Sequence, residues 1–191
     1  VPRSHPDRSA LVLVDMLLGN RATGLLDQRL VFPQRLRGAG AWRRSLRCGG
    51  LLGVWGRPRA DQDLDEIEAL LLEQVAALKD GDFSDETVGG ILRSFEVGLL
   101  RRLEGNAGRV DTMGRAFLYD ESWEWSRGSL DRVRAVTRSD IQRVAQRYLG
   151  ADCVVGRRRT GEPDPVRVRV GGVAARSTTT GRHSPLFDEV M

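Results

Sequence analysis

"RAVTRSDIQRVAQRYL", residues 134–149, carries its own start and stop signals. Thr137 is placed as an N-cap, its hydroxyl available to the free amides of the first turn. Asp140, three residues on, completes a capping-box pattern in which Glu or Gln is the usual partner. Val136 before the cap and Ile141 after it fit a hydrophobic staple. Ile141, Val144, Ala145, Tyr148 and Leu149 recur at helical spacing as one apolar stripe, and Arg138, Gln142, Arg143, Gln146 and Arg147 take the other faces. Gly150 is the stop. The segment reads as an amphipathic helix with its arginines in water. An arginine-lined helix serves two different classes of function: it lies on a nucleic acid, or it is a scaffold element of a larger machine.

The segments before it are mostly helical. "DRSALVLVDMLLG" (7–19) reads as a buried helix ending at Gly19-Asn20, and "GLLDQRLVF" (24–32) as a short helix stopped by Pro33. "AWRRSLRC" (41–48) and "LLGVWGR" (51–57) flank Gly49-Gly50, a hairpin signal. Residues 63–81 form an amphipathic helix with the stripe Leu64, Ile67, Leu70, Leu71, Val75 and Leu78, its first turns rich in carboxylates that suit the helix dipole. Ser84 caps the next helix, whose stripe is Val88, Ile91, Leu92, Phe95, Leu99 and Leu103. Gly89, Gly90 and Gly98 weaken it by about 1 kcal/mol each relative to Ala, so either a close helix contact compensates or the helix is broken. Helical spacing continues through 106–120 and 129–136. "WEW" (123–125) reads as a packing corner, and "CVVGRRR" (153–159) as a last strand. Residues 160–191 are rich in Pro, Gly, Thr and Arg and read as a linker or arm, with "VRVRV" (166–170) as an edge-strand candidate.

This order predicts an α+β fold with an antiparallel sheet covered by helices. The strands are too few for the helices, so the sheet is expected to lack its first strands. Residues 1–159 are expected to form the domain. The start, "VPRSHPDRSA", looks like an excised segment or a mature fragment.

Composition excludes some classes. Apolar content of 40% and charged content of 29% are ordinary for a globular domain. No apolar run reaches the roughly 18 residues of a membrane span. The net charge is +4, and Lys79 is the one Lys among the basic residues, a pattern of GC-rich coding. Charge is segregated: residues 1–60 carry 11 Arg against 3 acids, and residues 61–90 carry 10 acids against Lys79. Such blocks suit complementary packing as well as an anionic partner. Two cysteines, Cys48 and Cys153, are too few for a disulfide framework or zinc knuckle and are expected as buried thiols, with a single bridge open if their strands are neighbours.

In order, these segments resemble a domain of the pitrilysin, insulinase and mitochondrial processing peptidase family of inverted-zincin metallopeptidases. The resemblance rests on "HPDRSALVLVDMLLGN", "GLLDQRLVF", the hairpin, the acidic helix, the turn "RRLEGNAGRV" and the closing "AVTRSDIQRVAQRYL", across about residues 5–159. The closing helix and the Leu-Glu-x-Asn turn are its most specific parts. It implies domains that occur in pairs and close like a clamshell around an extended peptide.

Family peptidases hold zinc through H-x-x-E-H on a helix plus a distant Glu, because two His one turn apart reach one ion and the Glu activates its water. This sequence has two histidines, His5 and His183, and neither begins that motif. The resemblance is therefore to the non-catalytic, C-terminal-type domain: no catalytic residue, no metal ligand and no cofactor in this chain, with zinc expected in a partner catalytic domain of the same chain or a paired subunit. That domain often grips substrate with an Arg and a Tyr. Anchored on Leu30-Val31, those positions fall here on Val31 and Gly38. Arg35, Arg37 and Trp42 lie close by and are the candidate substitutes for binding an extended peptide substrate. Two alternatives stay open: a purely structural subunit of the same fold, and a nucleic-acid-binding domain using Arg-rich faces. The second is disfavoured, since the arginines are scattered and match no reader motif. A dimer is open, as are a bacterial cytoplasmic and a periplasmic location.

Overall fold

A computed structural model of the chain describes residues 1, 2, 5–46 and 49–161. Its elements run α1 (Arg8–Leu18), a π-helical turn (Asp27–Val31), β1 (Gly38–Ser45), β2 (Gly50–Arg57), α2 (Leu64–Asp80), α3 (Asp85–Glu104), α4 (Asn106–Leu118), α5 (Trp123–Arg127), α6 (Ser129–Arg134) and α7 (Arg138–Tyr148). The class is mixed α+β: a two-stranded antiparallel sheet and seven α-helices among the described residues.

The apolar stripe of α1 is the centre of the core. Leu13, Val14, Leu17 and Leu18 are fully buried, and α2, α3, α6, α7 and β1 all pack on α1. Leu26 and Leu30 join them from the turn after α1, Ile67, Leu70, Leu71 and Leu78 from α2, Ile91 from α3, and Ile141, Val144 and Ala145 from α7. The segment expected as an ordinary short helix is wound wider, so that the Phe32 amide donates to the Asp27 carbonyl five residues back. Asp27 is buried, and its Oδ2 accepts from the amides of Asn20 (3.1 Å) and Arg21 (2.8 Å). Anchoring that carboxylate to the loop before it ties the turn to the end of α1.

The polar side of α7 is largely exposed, as its periodicity suggests, yet its side chains are also engaged with other elements. Thr137 and Asp140 form the capping box in full. The Thr137 hydroxyl and amide donate to the Asp140 carboxylate and hold it below the usual aspartate range. Arg138, Gln142 and Gln146, one turn apart, then reach the last turn of α2. Arg138 Nη2 donates to the Gly81 carbonyl at 2.7 Å, and the two glutamines donate to the Lys79 carbonyl at 3.1 and 3.0 Å. These contacts supply donors, one of them cationic, to carbonyls that the end of a helix leaves unpaired. Arg143 and Tyr148 turn the other way, to the start of α1: Arg143 Nη2 donates to Asp7 Oδ1 and the Tyr148 hydroxyl to Asp7 Oδ2, both at 2.9 Å. Arg143 is exposed as expected, but it also has a partner that spacing did not show, the buried Asp7. The arginine-lined helix bolts one end of α1 and one end of α2.

Asp7 is 6% exposed. Burial alone would push its carboxyl up, but the hydrogen bonds from Arg143 and Tyr148 and the charge of Arg143 outweigh it and hold the group below the ordinary value of 3.8. A depressed folded-state pKa stabilises the fold above 3.8, and that stabilisation is lost as pH falls below it. Asp7→Asn is therefore expected to cost about 2 kcal/mol at pH 7, a typical figure for hydrogen bonds to a charged group. Thermal melts of both proteins from pH 7 to pH 3 check this, the gap between them closing below about pH 4.

Helix α3 is unbroken despite its glycines, and no close contact compensates them: a Cβ at Gly89, Gly90 or Gly98 meets nothing within 4 Å. Gly108 is different. A Cβ there would lie 1.7 Å from the Arg102 carbonyl oxygen, because the first turn of α4 sits directly on the last turn of α3. That approach is the reason for glycine in the Leu-Glu-x-Asn turn. In the corner after α4, Arg132 stacks on Trp125, 3.7 Å from the ring centroid, and donates to the Trp125 carbonyl.

The expected strand at 153–159 does not form. Residues 152–159 have no regular secondary structure and are exposed, and among the described residues the one sheet is β1-β2, which they do not join. Cys153 is a free, exposed cysteine rather than the buried thiol expected, while Cys48 lies outside the described residues. The chain divides into two compact units, Val1–Val155 and Gly156–Met191. The expected arm with its edge-strand candidate, and His183, lie almost wholly outside the described residues. No helix among the described residues is long and apolar enough to cross a membrane.

Candidate functional site

The hairpin is where the domain shows chemistry to solvent. The strands pair from Gly38↔Arg57 to Ser45↔Gly50, with Trp42 opposite Gly53 and Gly40 opposite Trp55. Side chains alternate across the sheet, so two faces follow from the register. Ala39, Ala41, Leu52 and Val54 pack on the core. The other face carries Trp42, Arg44, Leu51, Trp55 and Arg57, interleaved with Gly38, Gly40 and Gly53. Trp42 is 46% exposed, Trp55 41% and Leu51 55%.

Each tryptophan lies flat over a glycine of the opposite strand. A Cβ at Gly53 would lie 2.6 Å from the Trp42 ring, and one at Gly40 would lie 3.0 Å from the Trp55 ring. Large rings laid on bare backbone make a low, apolar surface instead of two projecting side chains, and they protect the glycines' ladder bonds. The Arg57 guanidinium sits 5.4 Å from the Trp55 ring centroid. No Asp or Glu occurs between Asp27 and Asp61, so the hairpin and its flanks are purely basic.

Of the residues singled out from the sequence, Trp42 lies on this outer face. Arg37 is exposed just before β1, its amide continuing the ladder to the Arg57 carbonyl at 3.1 Å. Arg35 is turned toward α2, with Nη2 3.7 Å from Glu73 Oε2. Helix α2 packs on the core side of β2, where the Cβ position of Gly56 meets Ile67 and Leu71. Arg35 and Trp42 are therefore on opposite sides of the hairpin. Sequence reasoning passed over Arg44, Leu51, Trp55 and Arg57. The signal was present: alternation counted outward from Gly49-Gly50 places Leu51, Gly53, Trp55 and Arg57 on one face.

Two other places carry titratable groups. Asp15, half-buried on α1, has a carboxyl pushed up by burial, an effect partly offset by the charge of Arg43. A cleft of about 160 Å³ lies at the turn end of the hairpin, lined by Leu11, Arg43, Ser45, Leu52 and Tyr148 among others. Neither place joins a nucleophile to a base. His5 is occupied locally, its Nδ1 accepting the Asp7 amide at 3.0 Å. Among the described residues no three His, Cys, Asp or Glu side chains come together as a metal site.

No protein-family model matches this chain, and no curated protein sequence matches it significantly. Solved structures do match. The chain is similar to a protease from Helicobacter pylori (TM-score 0.72, 17% identity, 78% of this chain and 36% of that one). It is similar to the inactive peptidase domain of a presumed zinc protease from Bordetella parapertussis (TM-score 0.69, 21% identity, 79% of this chain and 82% of that one). A presumed zinc protease from Bordetella pertussis Tohama I matches comparably (TM-score 0.66, 20% identity, 77% of this chain and 81% of that one). The chain thus spans about a third of the Helicobacter protein and most of the Bordetella chains. The fold is zinc-protease-like.

Proposed function

We propose that this chain is the non-catalytic half of a two-part zinc peptidase, which pairs with a catalytic domain and helps enclose an extended peptide. The observation that carries the reading is the fold's likeness, across 79% of this chain and 82% of the other, to a domain described as an inactive peptidase domain. The sequence agrees, since neither His5 nor His183 begins an H-x-x-E-H motif. The zinc and its water then belong to the catalytic partner. This chain contributes a surface: the outer hairpin face, with Trp42 on it and Arg37 at its end, while Arg35 lies on the opposite side against Glu73 of α2.

The test is turnover by the catalytic domain with and without this chain, on one extended peptide. Turnover is expected to rise when the chain is added, to fall back when Arg37 and Trp42 are replaced together by Ala, and to be unaffected by Arg35→Ala. Unchanged turnover despite demonstrated association would leave the second reading, a structural subunit of the same fold. That reading is favoured by the apolar residues Val97, Leu100, Val110, Met113, Phe117 and Leu118, which are exposed on α3 and α4.

A further inference from the structure

The outer hairpin face has a definite chemical pattern, and this pattern selects among peptides. Along it stand, in order, Arg57, Trp55, Trp42 and Arg44, with Leu51 beside Arg44. The two tryptophans form the apolar middle and the two guanidiniums the ends. Arg57 is opposite Gly38 and Arg44 is six residues further along β1, so the charges are about 20 Å apart at roughly 3.3 Å per residue. Neither guanidinium has an ion-pair partner among the described residues, and both residues are exposed.

We propose that this face binds an extended acidic peptide, with apolar side chains resting on Trp42 and Trp55 and carboxylates meeting Arg44 and Arg57. The inference rests on the peptide-enclosing reading and adds a substrate class to it. An extended chain turns every second side chain to one side, so the pattern it matches is acid-x-apolar-x-apolar-x-acid. Arginine suits the ends, because its planar fork pairs with a carboxylate through two parallel hydrogen bonds. Tryptophan suits the middle, because its large rigid ring loses little entropy on contact. No acid occurs in the sequence from Gln28 to Ala60, so the hairpin's own strands and adjoining segments hold none to compete for the guanidiniums or to repel the ligand.

Charge also argues against other occupants. A second copy docked face to face would set Arg44 and Arg57 against like charges. A nucleic-acid strand needs a basic track along its phosphates, whereas here two guanidiniums are separated by bare glycine and indole.

The experiment is fluorescence anisotropy with the whole 191-residue chain at low salt. The probes are fluorescein-labelled Asp-Ala-Leu-Ala-Leu-Ala-Asp, the same heptapeptide with Lys at both ends, and a twelve-nucleotide oligo(dT). The acidic peptide is expected to bind at least tenfold tighter than the basic one. Trp42→Ala should weaken it at least fivefold. Arg44→Glu combined with Arg57→Glu, both exposed substitutions checked by circular dichroism, should reverse the preference toward the Lys peptide. Equal binding of the two peptides overturns the acidic preference, as does a preference that survives the double charge reversal. Tighter binding of oligo(dT) overturns the ligand class. A dimer in sedimentation that Trp42→Ala dissolves and the acidic peptide does not would assign the face to a second copy instead. The turnover assay stays separate: it can rise with any peptide the partner cleaves, so an enclosing role can survive the loss of the acidic preference.

Discussion

Ile141→Asp should leave no folded protein at 25 °C. Ile141 is fully buried on α7, and its neighbours Val144 and Ala145 face the same core. A carboxylate there loses its water and gains no donor, because that side of α7 meets apolar side chains. The expected cost exceeds about 4 kcal/mol, a large share of the 5–15 kcal/mol that holds a typical domain together. Far-ultraviolet circular dichroism and elution volume would report it as loss of helix and expansion. Gln146→Ala, which removes one exposed hydrogen bond to the Lys79 carbonyl, should cost less than about 1 kcal/mol. Arg143→Ala should fall between them, because it takes away a donor from buried Asp7. Equal melting temperatures for all three variants would mean that the buried face of α7 is misassigned.

The opposite sign is expected on α3 and α4. Gly89, Gly90, Gly98 and Gly114 lie inside helices, and a Cβ at each meets nothing within 4 Å. Alanine at such a position gains helix propensity and reduces the freedom of the unfolded chain, by about 1 kcal/mol at most per site. The four replacements together should add about 3 kcal/mol. The melting temperature would rise by about 6–12 °C at the 2–4 °C per kcal/mol usual for this size. Gly108→Ala is the control, since its methyl group would collide with the Arg102 carbonyl and must force α4 off α3. A quadruple variant no more stable than the parent would show that α3 and α4 are not packed as described.

How much of this was legible in the sequence depended on the range of the interactions. The caps were local and could be read: Thr137 with Asp140, and Ser84, whose hydroxyl accepts the Thr87 amide. The hairpin was legible from Gly49-Gly50, but β1 begins earlier than its side chains advertise. Gly38 to Ala41 has low strand propensity and is strand because it lies opposite Val54, Trp55 and Arg57. Residues 153–159 illustrate the converse, since Val154 and Val155 have the propensity but no strand beside them among the described residues. The anchorage of Asp7 could not be read from spacing, because its partners are more than a hundred residues away. For the candidate site, Trp42 was found by proximity to a resembling motif. Trp55, Arg44 and Arg57 needed the strand register, and the side on which Arg35 lies needed the position of α2.

Asp7 and Arg143 stand 136 residues apart in the chain. A ribosome adding roughly 5–20 residues per second takes on the order of ten seconds to travel between them. Throughout that interval α1 has left the exit tunnel without α7, and the surface of Leu13, Val14 and Leu17 has no finished counterpart. Local pieces such as the hairpin form early, while the contacts that close the core are the latest made. Until α7 is made, the growing domain therefore offers that apolar surface to holding chaperones, and a domain cut short before Ile141 is expected not to fold.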